Sequence, residues 1–255
     1  MFAGQPFSIP VDCVACTSRG RFELAGPVEA ARRVAWDAHR AQNASAFDGS
    51  LLRLDDLRVD QGRLVLQASR TCYSAYVATR HPEFAVAHPD ARRADPLGMT
   101  ALVVTADDHV IVTRRSLTAD QNPGALYLIG GYAEPPEVDG SVDLFQEIAR
   151  EIAEEIAVTD LVRSASSAIG MGYDPVFCHP ELFFVTPSRS SAADILKVAR
   201  QARDRGEASR ILAYPLAAFF SGRSVLADAP ETWSFITARS FLLRHLEAKG
   251  GIANI

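Results

Sequence analysis

The chain predicts an α/β fold, and three observations lead there. Short apolar runs of strand length recur along the whole sequence, segments with helical spacing of apolar residues fall between them, and turn signals separate the two. There is no internal repeat and no low-complexity tract.

Taken in order, residues 27–42 open at Pro27 and place Val28, Ala31, Val34, Ala35 and Ala38 at helical spacing, ending before Asn43. Residues 50–54, 57–59 and 63–68 read as short strands, punctuated by Asp48-Gly49 and Asp60-Gln61-Gly62. Residues 73–79 suit a short helix, and 81–96, with three prolines, read as loop. A boundary falls near 95, giving a smaller α+β domain over 1–95 and a second domain over 96–255. In the second, residues 99–105 and 109–114 form a hairpin around Asp107-Asp108, and 126–129 is a strand running into Gly130-Gly131. Residues 141–157 form a helix, with Ser141 as N-cap and Asp143 in the first turn, where the helix dipole favours negative charge. Strands at 181–185 and 211–214 and helices at 192–205, 217–220 and 231–246 complete the reading.

Of the 255 residues 48% are hydrophobic and 22% charged, a composition able to bury a substantial core. No apolar run approaches the roughly 20 residues of a membrane span, and the first twelve residues lack the pattern of a secretory signal, so the expected location is the cytoplasm. A net charge of −5 offers no general attraction to nucleic acid or anionic lipid, and neither is expected as a partner. Cys13, Cys16, Cys72 and Cys178 are too few and scattered for a disulfide framework. Cys13 and Cys16 form a lone C-x-x-C that no second pair completes, and they read as plain thiols.

The chemistry concentrates on the helix at 141–157. Phe145, Ile148, Ile152 and Ile156 share one face, which should be buried. Glu147, Glu151, Glu154 and Glu155 share another, where like charges repel by about 0.2–0.5 kcal/mol per neighbouring pair, and only Arg150 lies among them. Taken alone, such a face is either a solvated acidic surface or a set of ligands for a hard divalent cation.

In context, Gly131, Glu137, Arg150, Glu151, Ile152, Glu154, Glu155 and Val158 follow the order of the Nudix box, G-x5-E-x7-R-E-U-x-E-E-x-G-U with U aliphatic, and Glu134 matches a glutamate often found inside it. The chain therefore resembles the Nudix hydrolases. Two departures stand out. Twelve residues separate Glu137 from Arg150 where the family has seven, so the position at the usual glutamate distance is Val142. Either Glu137 keeps its role on the longer loop, which is the expectation, or that role is lost or passes to Asp143. Ala157 replaces the closing glycine, a mild change unless the backbone there needs a positive φ.

The resemblance implies an α/β/α sandwich with a mixed sheet from about residue 96, and an active site using Mg²⁺, with Mn²⁺ as the alternative. Glu151, Glu154, Glu155 and the Gly131 carbonyl would be ligands, with Arg150 orienting the carboxylates. The family often places a further glutamate, as ligand or base, after the box, and Glu181 is the candidate. His179 is a second candidate base, but reads first as a surface histidine before proline. Segments at 47–54, 95–98, 105–107 and 114–116, with Tyr73 to Tyr76, look like the eukaryotic subgroup that hydrolyses UDP-glucose and UDP-galactose. That implies a small-molecule nucleotide substrate, cleaved to UMP and a sugar 1-phosphate, with Arg114, Arg115, Tyr73 and Tyr76 as candidate substrate contacts. The alternatives are an ADP-ribose pyrophosphatase and a nucleotide-binding module without catalysis.

Overall fold

The computed structural model describes residues 4–44, 46–221, 226 and 228–250. The first third of the chain contributes β1 (Gln5–Pro10), β2 (Val14–Arg21), α1 (Gly26–Gln42), β3 (Ser50–Asp60), β4 (Arg63–Cys72), α2 (Tyr73–Thr79) and the single-turn α3 (Phe84–Ala87). Next come β5 (Gly98–Val104), β6 (His109–Arg115), β7 (Leu126–Tyr127), β8 (Ile129–Tyr132), β9 (Gly140–Val142) and α4 (Leu144–Ile156). The remainder is β10 (Ser167–Tyr173), β11 (Pro180–Pro187), α5 (Ala192–Val198), β12 (Ala208–Pro215), α6 (Leu216–Phe220) and α7 (Trp233–Ala248).

These strands build two mixed sheets. The larger has the order β1-β10-β11-β5-β6-β12, with β8 added to β5 and β7 to β6; among the described residues β11 and β5 pair in parallel and the other strand pairs are antiparallel. The smaller runs β3-β4-β2-β9. The sheets trade strands across residue 95: β1 lies at the edge of the larger sheet, and β9 closes the smaller one.

Apolar residues alternate along the strands to feed two cores. Met99, Ala101 and Val103 face Ile148, Ile152 and Ile156 of α4, and that core continues into Leu52, Leu64 and Leu66 of the smaller sheet. Leu102, Phe183 and Val185 point the other way, onto Phe235, Ala238 and Phe241 of α7. The large sheet is thus covered by α4 and α5 on one face and by α6 and α7 on the other. In β11 every residue but the last is buried, as befits a central strand covered on both faces.

The differences from the sequence reading are local. Residues 50–54 and 57–59 are one strand, bent by a bulge between Leu54 and Asp56. The α4 helix begins at Leu144: Ser141 is paired in β9, and Asp143 is the N-cap, its carboxylate accepting the N–H groups of Phe145 and Gln146. The segment 126–129 divides, because Leu126–Tyr127 follows β6 and Ile129–Tyr132 follows β5. The helix expected to Arg205 stops at Val198 in α5 and tightens to a 3-10 turn at Ala199–Gln201. Residues 5–10, 14–21 and 167–173, unassigned from sequence, are strands held by pairing partners distant along the chain. Among the described residues no helix is long and apolar enough to cross a membrane.

Candidate functional site

β5 and β6 are paired only at Val104 and Val110; beyond that point β8 fills the flank of β5 and β7 the flank of β6. A cavity of about 460 Å³ opens there, within the size range of small-molecule pockets. Its lining draws Gly98, Met99, Gly130, Gly131 and Tyr132 from β5 and β8, Arg115 and Tyr127 from β6 and β7, and Glu151 from α4.

The helix carboxylates meet the strand at two glycines. A Cβ on Gly131 would stand 2.7 Å from Glu151 Oε2, so only glycine lets that carboxylate rest against the strand. Gly130 donates its N–H to Glu155 Oε1 at 3.2 Å, and a Cβ there would strike the Met99 carbonyl at 2.1 Å. Burial pushes Glu155 up to about 8 and Glu151 up to about 7; for both, the charge of Glu207 adds to the rise. Oxygen donors gathered at the cost of mutual repulsion, beside a glycine strand, fit a hard divalent cation such as Mg²⁺.

Glu154 lies one step further round the helix, bonded to Arg150 at 2.9 Å and to Arg203 at 2.8 Å. Arg150 touches four glutamates, Glu134, Glu147, Glu151 and Glu154, at 2.9–3.4 Å. Glu137 is exposed and meets Arg70 through its backbone carbonyl, whereas Glu134 lines the cavity. Val142 pairs with Cys16, and Asp143 caps α4 and pairs with Arg163. The lengthened loop before the helix thus carries β9 across to the smaller sheet. Ala157 has φ 56°, so the replaced glycine position is left-handed and alanine there is strained.

Glu181 is buried on the central strand, not solvent-facing. It accepts hydrogen bonds from the Thr100 hydroxyl and from Ser234 Oγ at 2.8 Å, and burial pushes it up to about 7. The sheet register sets it two strands from Tyr132, through Gly98, a span of about 10 Å. His179 is buried as well, correcting its reading as a surface residue: burial holds its imidazole neutral, and it lines the same cavity. The apolar run from Leu182 to Val185 was the signal for this, since a continuous run marks a strand covered on both faces.

Of the two arginines, Arg115 lines the cavity, its Nε without a hydrogen-bond partner and its guanidinium over the Tyr127 ring. Arg114 turns away to the Gly124 carbonyl and to Asp228 at 3.3 Å. Tyr73 lines the cavity and bonds Asp120 at 2.9 Å, while Tyr76 is fully buried behind it, its hydroxyl donating to the Phe177 carbonyl. Asp120 also pairs with Arg80 at 2.6 Å, and Gln121 reaches Tyr76 and Tyr132, so the loop after β6 is tied to α2 as one rim of the cavity. Phe47, largely exposed, stands at the mouth. Glu207, Asp120, Gln121, Thr100 and Ser234 escaped the sequence reading, since none sits in a recognisable spacing.

Among known proteins the chain is similar to Nudix hydrolase 9 of Arabidopsis thaliana, 26% identical over 215 residues, 69% of this chain and 68% of that protein. It is also similar to the uridine diphosphate glucose pyrophosphatase NUDT22 of Bos taurus, 32% identical over 92 residues, 31% of this chain and 32% of that protein; it thus spans about a third of that relative. No family model matches the chain. A solved MutT protein from Methanosarcina mazei Go1 is 19% identical, with 60% of this chain and 94% of that chain covered, at a TM-score of 0.40, too low to support a residue correspondence.

Proposed function

We propose that the chain, which resembles Nudix hydrolases, hydrolyses the diphosphate of a nucleoside diphosphate joined to a second group, a UDP-sugar being the preferred substrate. The observation that carries this reading is the placement of Glu151 against Gly131 and of Glu155 on the Gly130 N–H, at a cavity that Arg115 and Glu181 also line.

Glu151, Glu155 and the Gly131 carbonyl would hold Mg²⁺ or Mn²⁺, with Glu154 joining by exchanging an arginine for the ion. The ion supplies neutralisation of phosphate charge and activation of a water. Arg115, without an ion-pair partner among the described residues, is placed to take a phosphate oxygen. Tyr73 and Phe47 offer aromatic faces to the base, and Gln121 a donor and an acceptor. Glu181 is the carboxyl on the α7 side of the sheet, available as ligand or as proton acceptor. Arg150 holds the glutamate fan in register.

Incubation of the purified chain and Mg²⁺ with UDP-sugars, ADP-ribose, NADH and dinucleoside polyphosphates tests the assignment, with UMP and sugar 1-phosphate as expected products. Turnover confined to a non-sugar substrate overturns the sugar assignment. The exposure of Glu137 favours a second reading, a nucleotide-binding module without catalysis. Tight nucleotide binding with no metal-dependent turnover would establish that alternative.

A further inference from the structure

Apart from the helix carboxylates, Asp174, His179 and Glu181 form a second cluster in which one donor atom from each lies within 4.8 Å of the others, all three side chains being buried. Each is fixed from behind. Asp174 Oδ1 accepts the N–H groups of Val176 and Phe177 at 2.7 and 2.9 Å, and Glu181 is held by Thr100 and Ser234. His179 Nδ1 lies 3.1 Å from the Tyr76 hydroxyl, whose only proton is donated to the Phe177 carbonyl at 2.9 Å. With Tyr76 donating to that carbonyl, its oxygen accepts from Nδ1, and in this tautomer Nε2 presents a bare lone pair.

That lone pair makes no hydrogen bond among the described residues; its nearest acidic atom is Glu181 Oε2 at 4.0 Å. Gly98 makes the ring position accessible, since a Cβ there would stand 3.0 Å from Nε2. No arginine or lysine among the described residues forms an ion pair with any of the three. Two buried carboxyl groups and an unpaired imidazole nitrogen, each oriented by outer partners, have the make-up of a preorganised ligand set.

We propose that Asp174, His179 and Glu181 bind a divalent transition-metal ion of the Mn²⁺, Fe²⁺ or Zn²⁺ class, at a site separate from the α4 carboxylates. The nitrogen donor selects these ions over Mg²⁺, which prefers oxygen, and the cavity lined by His179 and Glu181 provides the entry path. The site does not depend on the hydrolase reading; an ion there makes Glu181 a ligand instead of a proton acceptor.

Equilibrium dialysis of the chelator-stripped full chain against Zn²⁺, in excess Mg²⁺, tests this. One Zn²⁺ per chain is expected to remain, to survive in the double variant Glu151→Gln/Glu155→Gln, and to bind at least about tenfold more weakly in His179→Gln and Asp174→Asn. Loss of the Zn²⁺ in the double variant, or unchanged affinity in the other two, overturns the site. A thiolate charge-transfer band on Co²⁺ substitution that disappears in Cys13→Ser/Cys16→Ser overturns it too, by assigning the ion to those two thiols and not to the site beside Cys178. Should the single variants fail to fold, the ¹⁵N resonance of His179 Nε2 in the native chain decides: it shifts on Zn²⁺ addition if the site exists and stays in place if it does not.

Discussion

On one wall of the cavity, Glu151 and Glu155 project from successive turns of a single helix, and their separation is set by helical geometry alone. On the other, Glu181 meets Thr100 from 81 positions earlier and Ser234 from 53 positions later, while His179 meets Tyr76 across 103 positions. Both walls hold buried carboxyls pushed up to about 7 or 8 by burial, so both carry a desolvation cost that a bound cation would offset. The difference teaches where a site can be read in advance: a wall made by one helix repeats in the sequence, and a wall gathered by a sheet does not.

The largest expected effect sharpens the contrast in favour of the helix wall. Glu155→Gln should lower metal-dependent turnover on the order of 10³-fold, as expected for loss of a ligand stabilising the transition state by about 4 kcal/mol, with the fold retained by circular dichroism. Glu181→Gln should cost less, about 10²-fold, and should alter the pH profile of kcat; a loss equal to that of Glu155→Gln would show that the walls act as one unit.

The next prediction treats the walls together. Glu151, Glu155 and Glu181 hold their protons above the ordinary 4.5, so between that value and about 8 the folded chain binds more protons than the unfolded one. Stability of the metal-free chain therefore falls as pH rises through this window and is not penalised below it. Thermal melts from about pH 5 to about pH 8 should show Tm dropping without metal, and the rise in Tm given by Mn²⁺ growing with pH; a Tm independent of pH would remove the shared cost. The smallest effect lies at the end of the helix wall: Ala157→Gly relieves a left-handed alanine and should raise stability by about 0.5–1 kcal/mol in urea melts, leaving kcat unchanged.

The strands at 99–105 and 109–114, the helix at 73–79 and the buried stripe Phe145, Ile148, Ile152, Ile156 were legible because each depends on spacing within a few residues. The strands β1, β2 and β10 were not, because their short, mixed sequences become strands only by pairing with remote neighbours. Arg114 and Arg115 are adjacent and equivalent in sequence; the pleat of β6 sends one toward Asp228 and the other into the cavity.

By itself the sequence determined the acidic helix, its buried face and the glycine pair before it, since helical periodicity and missing side chains are properties of neighbouring residues. Tertiary structure alone decided that the long loop before α4 would close the smaller sheet, that Glu181 and His179 would be buried, and that Glu207 would join the cavity. Those outcomes depend on which distant segments share a sheet edge, and no local interaction encodes that choice.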